Sequence, residues 1–158
     1  MSDNIRCIIR NVREKLQDEL NAIFIGTIKE GNPNPLPNEK VKDCIDFLKE
    51  SNGASFGQID LFPLNELDRN QFYVETLQGK KEHWICIGLV LYEPIVLNKI
   101  NGQVYRFYRD IETEIPEECF GEFNNFLTNY VFGKKYAEII PSAEDEEWYQ
   151  FLKKVNLI

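Results

Sequence analysis

The chain has 158 residues, of which 43% are hydrophobic and 13% aromatic, and its formal net charge is −8. This length and apolar content predict a single folded domain over residues 1–158 and exclude an intrinsically disordered chain. No apolar run approaches the roughly 20 residues that cross a bilayer, and the N-terminus lacks the basic and apolar regions of a signal segment, so we expect a soluble, cytoplasmic protein.

The first predicted element is an amphipathic helix over residues 4–24. Its apolar positions recur at near-helical spacing: Ile5, Ile9, Val12, Leu16, Leu20 and Ile23. They predict a face that packs on the rest of the protein. Arg6, Arg10 and Arg13 share another side of this helix. We expect them to be solvated or to pair internally, for example with the acidic C-terminal region, rather than to bind an external anion. Residues 26–37 are rich in proline and predict a loop.

Residues 36–59 contain the pattern of a helix with both of its ends. Asn38 follows Leu36-Pro37 and is a candidate N-cap, and the next apolar residues, Val41, Cys44, Ile45 and Leu48, fall on one helical face. Asn52-Gly53 is typical of a helix end. Beyond it, Phe56, Ile59 and Leu61 predict an extended segment around Gly57.

The centre of the chain predicts β-strands. Residues 83–91 are an apolar run typical of a buried strand, in which Gly88 permits a bulge or a close backbone approach. Residues 95–99 and 103–108 flank Asn101-Gly102, a two-residue hairpin signal that predicts antiparallel pairing.

Two helices are predicted in the C-terminal part. Pro116, followed by two glutamates, favours a helix start, and Ser142 favours a second one. The whole order predicts an α+β fold, with a central antiparallel, meander-like sheet and the N-terminal and C-terminal helices packed mainly on one face.

The order and spacing of these elements resemble the SUKH superfamily, which includes bacterial toxin-immunity proteins and fungal cell-wall-assembly regulators. The matching segments are Leu36-Pro37, Asn52-Gly53, Trp84–Gly88, Pro94–Leu97, Asn101–Tyr105 and Phe120–Leu127. The resemblance implies one of two functions. The first is an immunity protein that neutralises a cognate toxin, and the second is a regulatory or scaffold protein without a toxin partner.

Catalytic and cofactor-binding patterns are scarce. His83 is the only histidine, and Cys7, Cys44, Cys86 and Cys119 lie far apart, which predicts reduced core cysteines rather than metal ligands or disulfides. The glycines do not form a phosphate-binding loop. We therefore predict no cofactor, no metal and no enzymatic activity. An enzyme with an unrecognised carboxylate pair stays an alternative, and it would require a pocket that contains acids with raised pKa values.

The negative charge is concentrated late in the chain. Residues 110–147 hold eleven acidic residues against two lysines, a net charge of −9, so that the rest of the chain carries +1. This field disfavours nucleic acid and anionic membranes and favours a basic protein partner, such as a nuclease toxin. The candidate partner-binding residues are Tyr105, Tyr108, Asp110, Glu112, Glu114, Glu117 and Glu118. The alternative is that the acids serve solubility and helix capping and that the tyrosines pack in the core.

Overall fold

A computed structural model describes residues 1–35, 41–109, 114–116 and 118–158. These residues form an antiparallel sheet of seven strands in which each strand pairs with the next one along the chain. The strands are β1 (Gly26–Ile28), β2 (Ala54–Phe56), β3 (Ile59–Leu61), β4 (Trp84–Val90), β5 (Glu93–Asn98), β6 (Gln103–Arg106) and β7 (Glu118–Glu122). The predicted α+β fold with a central meander is confirmed.

Helices precede, interrupt and follow the sheet. Their bounds are α1 (Asp3–Gln17), α2 (Ala22–Ile25), α3 (Lys42–Glu50), α4 (Leu64–Leu67), α5 (Lys80–His83), α6 (Phe123–Asn125), α7 (Tyr136–Ile139) and α8 (Glu147–Lys154). The described residues also include the 3₁₀ segments Asp68–Val74 and Ala143–Asp145 and a π-helical segment, Phe126–Val131.

The two faces of the sheet bury different clusters, because side chains alternate along each strand. In β4, Ile85 and Ile87 face the larger cluster, to which α1, α3 and α8 contribute, whereas Trp84 and Cys86 face a smaller one. The 3₁₀ segment Asp68–Val74 and the residues after it cover the smaller cluster with Val74 and Leu77.

The predicted central strands are present in the structure. The register of β4 on β5 shifts between Cys86 and Gly88, which is the bulge that Gly88 predicted. A Cβ atom at Gly88 would collide with the carbonyl oxygen of Asp60, so the close approach is also confirmed. The turn between β5 and β6 spans four residues rather than two, and within Asn101-Gly102 only Gly102 has a positive φ, of 72°.

The N-terminal helix is shorter than predicted. α1 ends at Gln17, and Leu20 and Ile23, which were expected on its buried face, are exposed. Acidic residues explain the early end, because Asp18 and Glu19 are unfavourable at the negative end of a helix dipole. The predicted loop over residues 26–37 begins instead with the edge strand β1.

The buried face predicted for α3 is confirmed, since Cys44, Ile45 and Leu48 are buried together with Val41. The candidate cap Asn38, with Leu36 and Pro37, lies outside the described residues. Gly53 has the expected left-handed conformation, with a φ of 94°. The extended segment that follows is a hairpin of β2 and β3 rather than one strand, and Gly57 occupies its turn with a φ of 62°.

Of the two helix starts predicted in the C-terminal part, the one at Pro116 is wrong, and the one at Ser142 is followed by the 3₁₀ segment Ala143–Asp145 rather than directly by α8. Glu118 opens strand β7, which pairs with β6, and the helix begins only at Phe123. Ser142 makes no side-chain cap and has a φ of 55°, whereas Glu146 caps α8 by accepting a hydrogen bond of 3.2 Å from the Tyr149 N–H.

The prediction that the four cysteines are core residues is correct for two of them. Cys44 and Cys86 are buried, but Cys7 and Cys119 are exposed and are not core residues.

Candidate protein-interaction surfaces

The seven residues predicted to bind a partner are only partly described. Asp110, Glu112 and Glu117 lie outside the described residues, whereas Tyr105, Tyr108, Glu114 and Glu118 have defined surroundings. The last four lie at the β6–β7 end of the sheet, where β7 is an edge strand. The choice of these residues as a binding surface stays a prediction.

Tyr105 belongs to the face of the smaller cluster. Its ring packs edge-on against Trp84, with ring centroids 5.5 Å apart, and its hydroxyl donates a hydrogen bond of 2.8 Å to Gln103 Oε1. The side chain is half-buried. Tyr105 therefore contributes to packing in the free protein and offers a partner only its edge.

Tyr108 and Glu118 lie beside an arginine. The Nε atom of Arg106 donates to Glu118 Oε2 at 2.5 Å, and the Arg106 guanidinium carbon lies 5.2 Å from the centre of the Tyr108 ring. Arg106 is buried and its Nη1 atom lies 3.4 Å from the Ile139 carbonyl oxygen. The charge of Glu118 is thus neutralised within the protein, while Tyr108 stays exposed.

Glu114 and Ile115 are exposed. The backbone carbonyl of Glu114 accepts a hydrogen bond of 2.8 Å from the Gln78 N–H, and this bond ties the segment to the residues that cover the smaller cluster. Tyr105 and Glu114 therefore lie toward one side of the sheet end, whereas Tyr108 and Glu118 are grouped around Arg106 on the other.

The arginines of α1 have internal partners, as predicted, but the partners come from α3 and β1 rather than from the C-terminal acids. Arg10 binds both carboxylate oxygens of Glu50, at 2.9 and 2.8 Å. Arg13 donates to the backbone carbonyls of Ile28 and Lys29, at 3.2 and 3.0 Å, and also to that of Glu50. These contacts fix α1 against the sheet edge.

A second surface was not predicted from the sequence. The turn after α1, helix α2 and helix α8 enclose a groove of about 570 Å³, which has Leu20, Ile25 and Phe151 among its apolar residues. Among the described residues that line it, the acidic ones are Asp18, Glu19, Asp145 and Glu147, and the one basic residue is Lys154. The sequence signal for this surface was the pair Asp18-Glu19, which ends α1 and leaves the following apolar residues outside the core.

Among the described residues, no group of three or more His, Cys, Asp or Glu side chains is placed to hold a metal ion. Burial raises the pKa of the Cys44 and Cys86 thiols to about 12. Burial also raises the pKa of Glu146, whose carboxylate caps α8 and lies beside the Tyr136 hydroxyl. The position of Glu146 is thus explained by the helix that it caps.

The chain matches no known family model, and no curated protein is significantly similar to it in sequence. Within the described residues, no helix has both the length and the apolar character needed to cross a membrane.

Proposed function

We propose that this protein is a non-enzymatic immunity protein of the SUKH type, which binds a cognate basic toxin and blocks it by covering its active face. One observation carries the proposal: much of the acidic charge in the C-terminal part is not neutralised internally. Six of its acids make no ion pair with another described residue: Glu114, Glu122, Glu138, Asp145, Glu146, which caps α8, and Glu147. Their field attracts a positively charged protein.

The inhibition would be steric and electrostatic. Exposed Tyr108 and Ile115 supply apolar area beside the acidic segment, and aromatic residues are common anchors at protein interfaces. A nuclease toxin fits this partner class, because its active face is basic in order to bind a polyanionic substrate. An acidic protein that covers this face competes with the substrate through the same charges.

Co-expression tests the function directly. The product of the gene adjacent to this one should kill cells when expressed alone and should be tolerated when this chain is produced with it. A toxin that kills equally well in the presence of the folded chain would contradict the immunity proposal. The regulatory or scaffold alternative predicts that result.

Charge reversal tests the surface. Replacing Glu112 and Glu114 with Lys should slow association with the toxin by about ten-fold at low salt and reduce the salt dependence of the association rate, because the steering field is weakened. The matched control is the double variant Asp3→Lys and Glu14→Lys, which makes the same change of charge at exposed acids of α1, a helix that packs on the larger cluster. Equal effects in both variants would show that total charge, and not this surface, governs binding.

A further inference from the structure

The groove between the α1–α2 turn and α8 has the properties of a docking site, and we propose that it binds a basic, amphipathic segment of a partner protein. The inference rests on the proposed function only in taking a protein as the partner. The lining of the groove contains no residue of β6 or β7, and Ile25 in this lining precedes β1, which forms the opposite edge of the sheet from β7.

Large apolar side chains are exposed beside the groove. Leu20 is completely exposed, Ile23 is 80% exposed and Phe24 is 71% exposed. Leu20 lines the groove, and Ile23 and Phe24 lie in the chain between Leu20 and a second lining residue, Ile25. We call Leu20, Ile23 and Phe24 the apolar patch, because exposed large apolar side chains at one place on a soluble protein mark interaction sites. Phe151, which belongs to the larger cluster, lines the groove and joins the patch to the core.

The groove is negatively charged. Four carboxylates and one ammonium line the groove, a net charge of −3, and the ammonium of Lys154 is already paired with Glu19 at 2.5 Å. Asp18, Asp145 and Glu147 have no basic partner within the described part of the chain. A cationic ligand is therefore complementary to three free carboxylates arranged around an apolar surface.

A favourable effect on helix stability explains only some of the acidic residues that line the groove. Glu147 lies in the first turn of α8, where a negative charge is favourable. Asp18 lies at the opposite kind of position, because it caps the C-terminal end of α1, where a negative charge opposes the helix dipole. The carboxylate of Asp18 therefore lowers the stability of the unbound protein slightly, and a bound cation would relieve this repulsion.

The negative charge of the groove also distinguishes between the ligands that could bind there. An anionic membrane would be repelled by the acidic residues, even though the apolar patch alone suits a lipid surface. A second copy of the chain, docked with the same patch in a two-fold dimer, would bring two acidic rims together. A segment that carries both Lys or Arg and apolar residues satisfies the charge and the apolar area at once.

The probe is a fluorescently labelled, 18-residue helical peptide made of Leu and Lys, and its control is the same peptide with Glu in place of Lys. Fluorescence anisotropy should show binding of the Lys peptide to the wild-type protein and none of the Glu peptide. Ile23→Ser combined with Phe24→Ser should weaken binding by about ten-fold or more, as loss of anchor residues does. Both side chains are exposed, so circular dichroism should show an unchanged fold.

The double variant Asp145→Lys and Glu147→Lys should weaken binding by about ten-fold at low salt. The control variant Asp68→Lys and Glu82→Lys should change it by less than about two-fold. Equal losses in both charge variants, unchanged binding in the apolar variant, or no binding to the wild-type protein would each overturn the proposal. A dimer in sedimentation experiments that Phe24→Ser abolishes would instead identify a second copy as the occupant. None of these readouts uses the toxin, so each proposal can fail without the other.

Discussion

At the residue scale, Gly57 shows why one turn position admits no side chain. Its φ of 62° is unfavourable for other residues, and a Cβ atom there would lie 2.8 Å from Trp148 Cβ and closer still to Glu146 and Tyr136. The turn of the β2–β3 hairpin thus packs directly against α7 and α8. Backbone strain and steric collision act together at this residue.

We expect Gly57→Ala to lower the free energy of unfolding by about 2–4 kcal/mol, because the substitution adds overpacking to conformational strain. The control is Gly102→Ala, which has a similar φ of 72° but no atom within 4 Å of the added Cβ, and it should cost only about 1 kcal/mol. Urea denaturation measures both values. Equal losses would mean that the contact with the C-terminal helices is unimportant.

Asp46 is a buried carboxylate held by cations. Its oxygens lie 2.9 Å from Lys42 Nζ, 3.1 Å from Lys49 Nζ and 3.2 Å from the backbone nitrogen of Met1, with the Arg6 guanidinium at 3.9 Å. The hydrogen bond from Lys42 lowers the pKa of Asp46 most strongly, and Lys49 adds to it, against the opposing effect of burial. The ionised form is therefore favoured in the folded state.

The stabilisation that Asp46 contributes depends on pH. Since the pKa of Asp46 is lower in the folded than in the unfolded protein, its stabilisation is complete well above the unfolded pKa of about 4 and is lost as the pH falls below it. We expect Asp46→Asn to cost about 1–2 kcal/mol at pH 7, because the lysines are partly exposed, and less at pH 3. Urea denaturation at both pH values checks this. Asp68→Asn, at an exposed residue, should cost little at either pH, and a penalty for Asp46→Asn that grows in acid would contradict the assignment.

At the element scale, a side chain replaces part of a strand. β3 ends at Leu61, opposite Gly88, so Cys86 has no partner residue on that side of β4. Gln71 supplies one: its Oε1 accepts a hydrogen bond of 2.8 Å from the Cys86 N–H, and its Nε2 donates to the Cys86 carbonyl at 2.9 Å. The 3₁₀ segment Asp68–Val74 is thereby attached to the sheet next to the bulge.

Gln71→Leu should lower the free energy of unfolding by about 2–4 kcal/mol, because it leaves two buried backbone groups of Cys86 without partners. Asn70→Ala is the control, since within the described part of the chain the Asn70 side chain bonds only the Glu66 carbonyl, and it is half-buried. This control should cost about 1 kcal/mol or less. Thermal unfolding followed by circular dichroism distinguishes the two, and similar losses would argue against the strand-replacing role of Gln71.

The elements that sequence reasoning identified are those with a local pattern. The apolar run of β4 and the buried face of α3 could be recognised because periodicity and burial agree there. The edge strand β1 and the β2–β3 hairpin have three residues per strand, which is too short for a periodic signal. At Glu118, pairing of β7 with β6 overrides a sequence that favours a helix start.

The same limit applies to the candidate sites. The excess of acids could be counted from the sequence, but the pairing of Glu118 with Arg106 joins residues on two different strands and has no local signal. Likewise, Leu20 matches the apolar period of α1 and becomes exposed only because the helix ends at Gln17. Charge totals are therefore predictable from sequence, whereas the positions of free charges depend on tertiary contacts.

At the scale of the whole molecule, one sheet separates two buried clusters of unequal size. The larger cluster contains Trp148, whose indole N–H donates to the Val131 carbonyl at 2.9 Å. The smaller one contains Trp84, whose N–H donates to the Gln78 carbonyl at 2.8 Å. These are the only two tryptophans in the chain, so each cluster has its own fluorescent reporter.

Single-tryptophan variants can test whether the clusters unfold together, as the predicted single domain requires. Because β4 and β5 contribute side chains to both clusters, neither can lose its packing without disturbing strands that the other needs. We therefore expect the urea midpoint of tryptophan fluorescence to equal that of far-UV circular dichroism in Trp84→Phe and, separately, in Trp148→Phe. Each substitution removes a buried indole N–H and should lower stability by about 1–3 kcal/mol, so the comparison is made within each variant. A different outcome would contradict this expectation: in Trp148→Phe the fluorescence of Trp84 changes at lower urea than the dichroism, while in Trp84→Phe the two signals coincide. The smaller cluster would then unfold independently, and the chain would not be one cooperative domain.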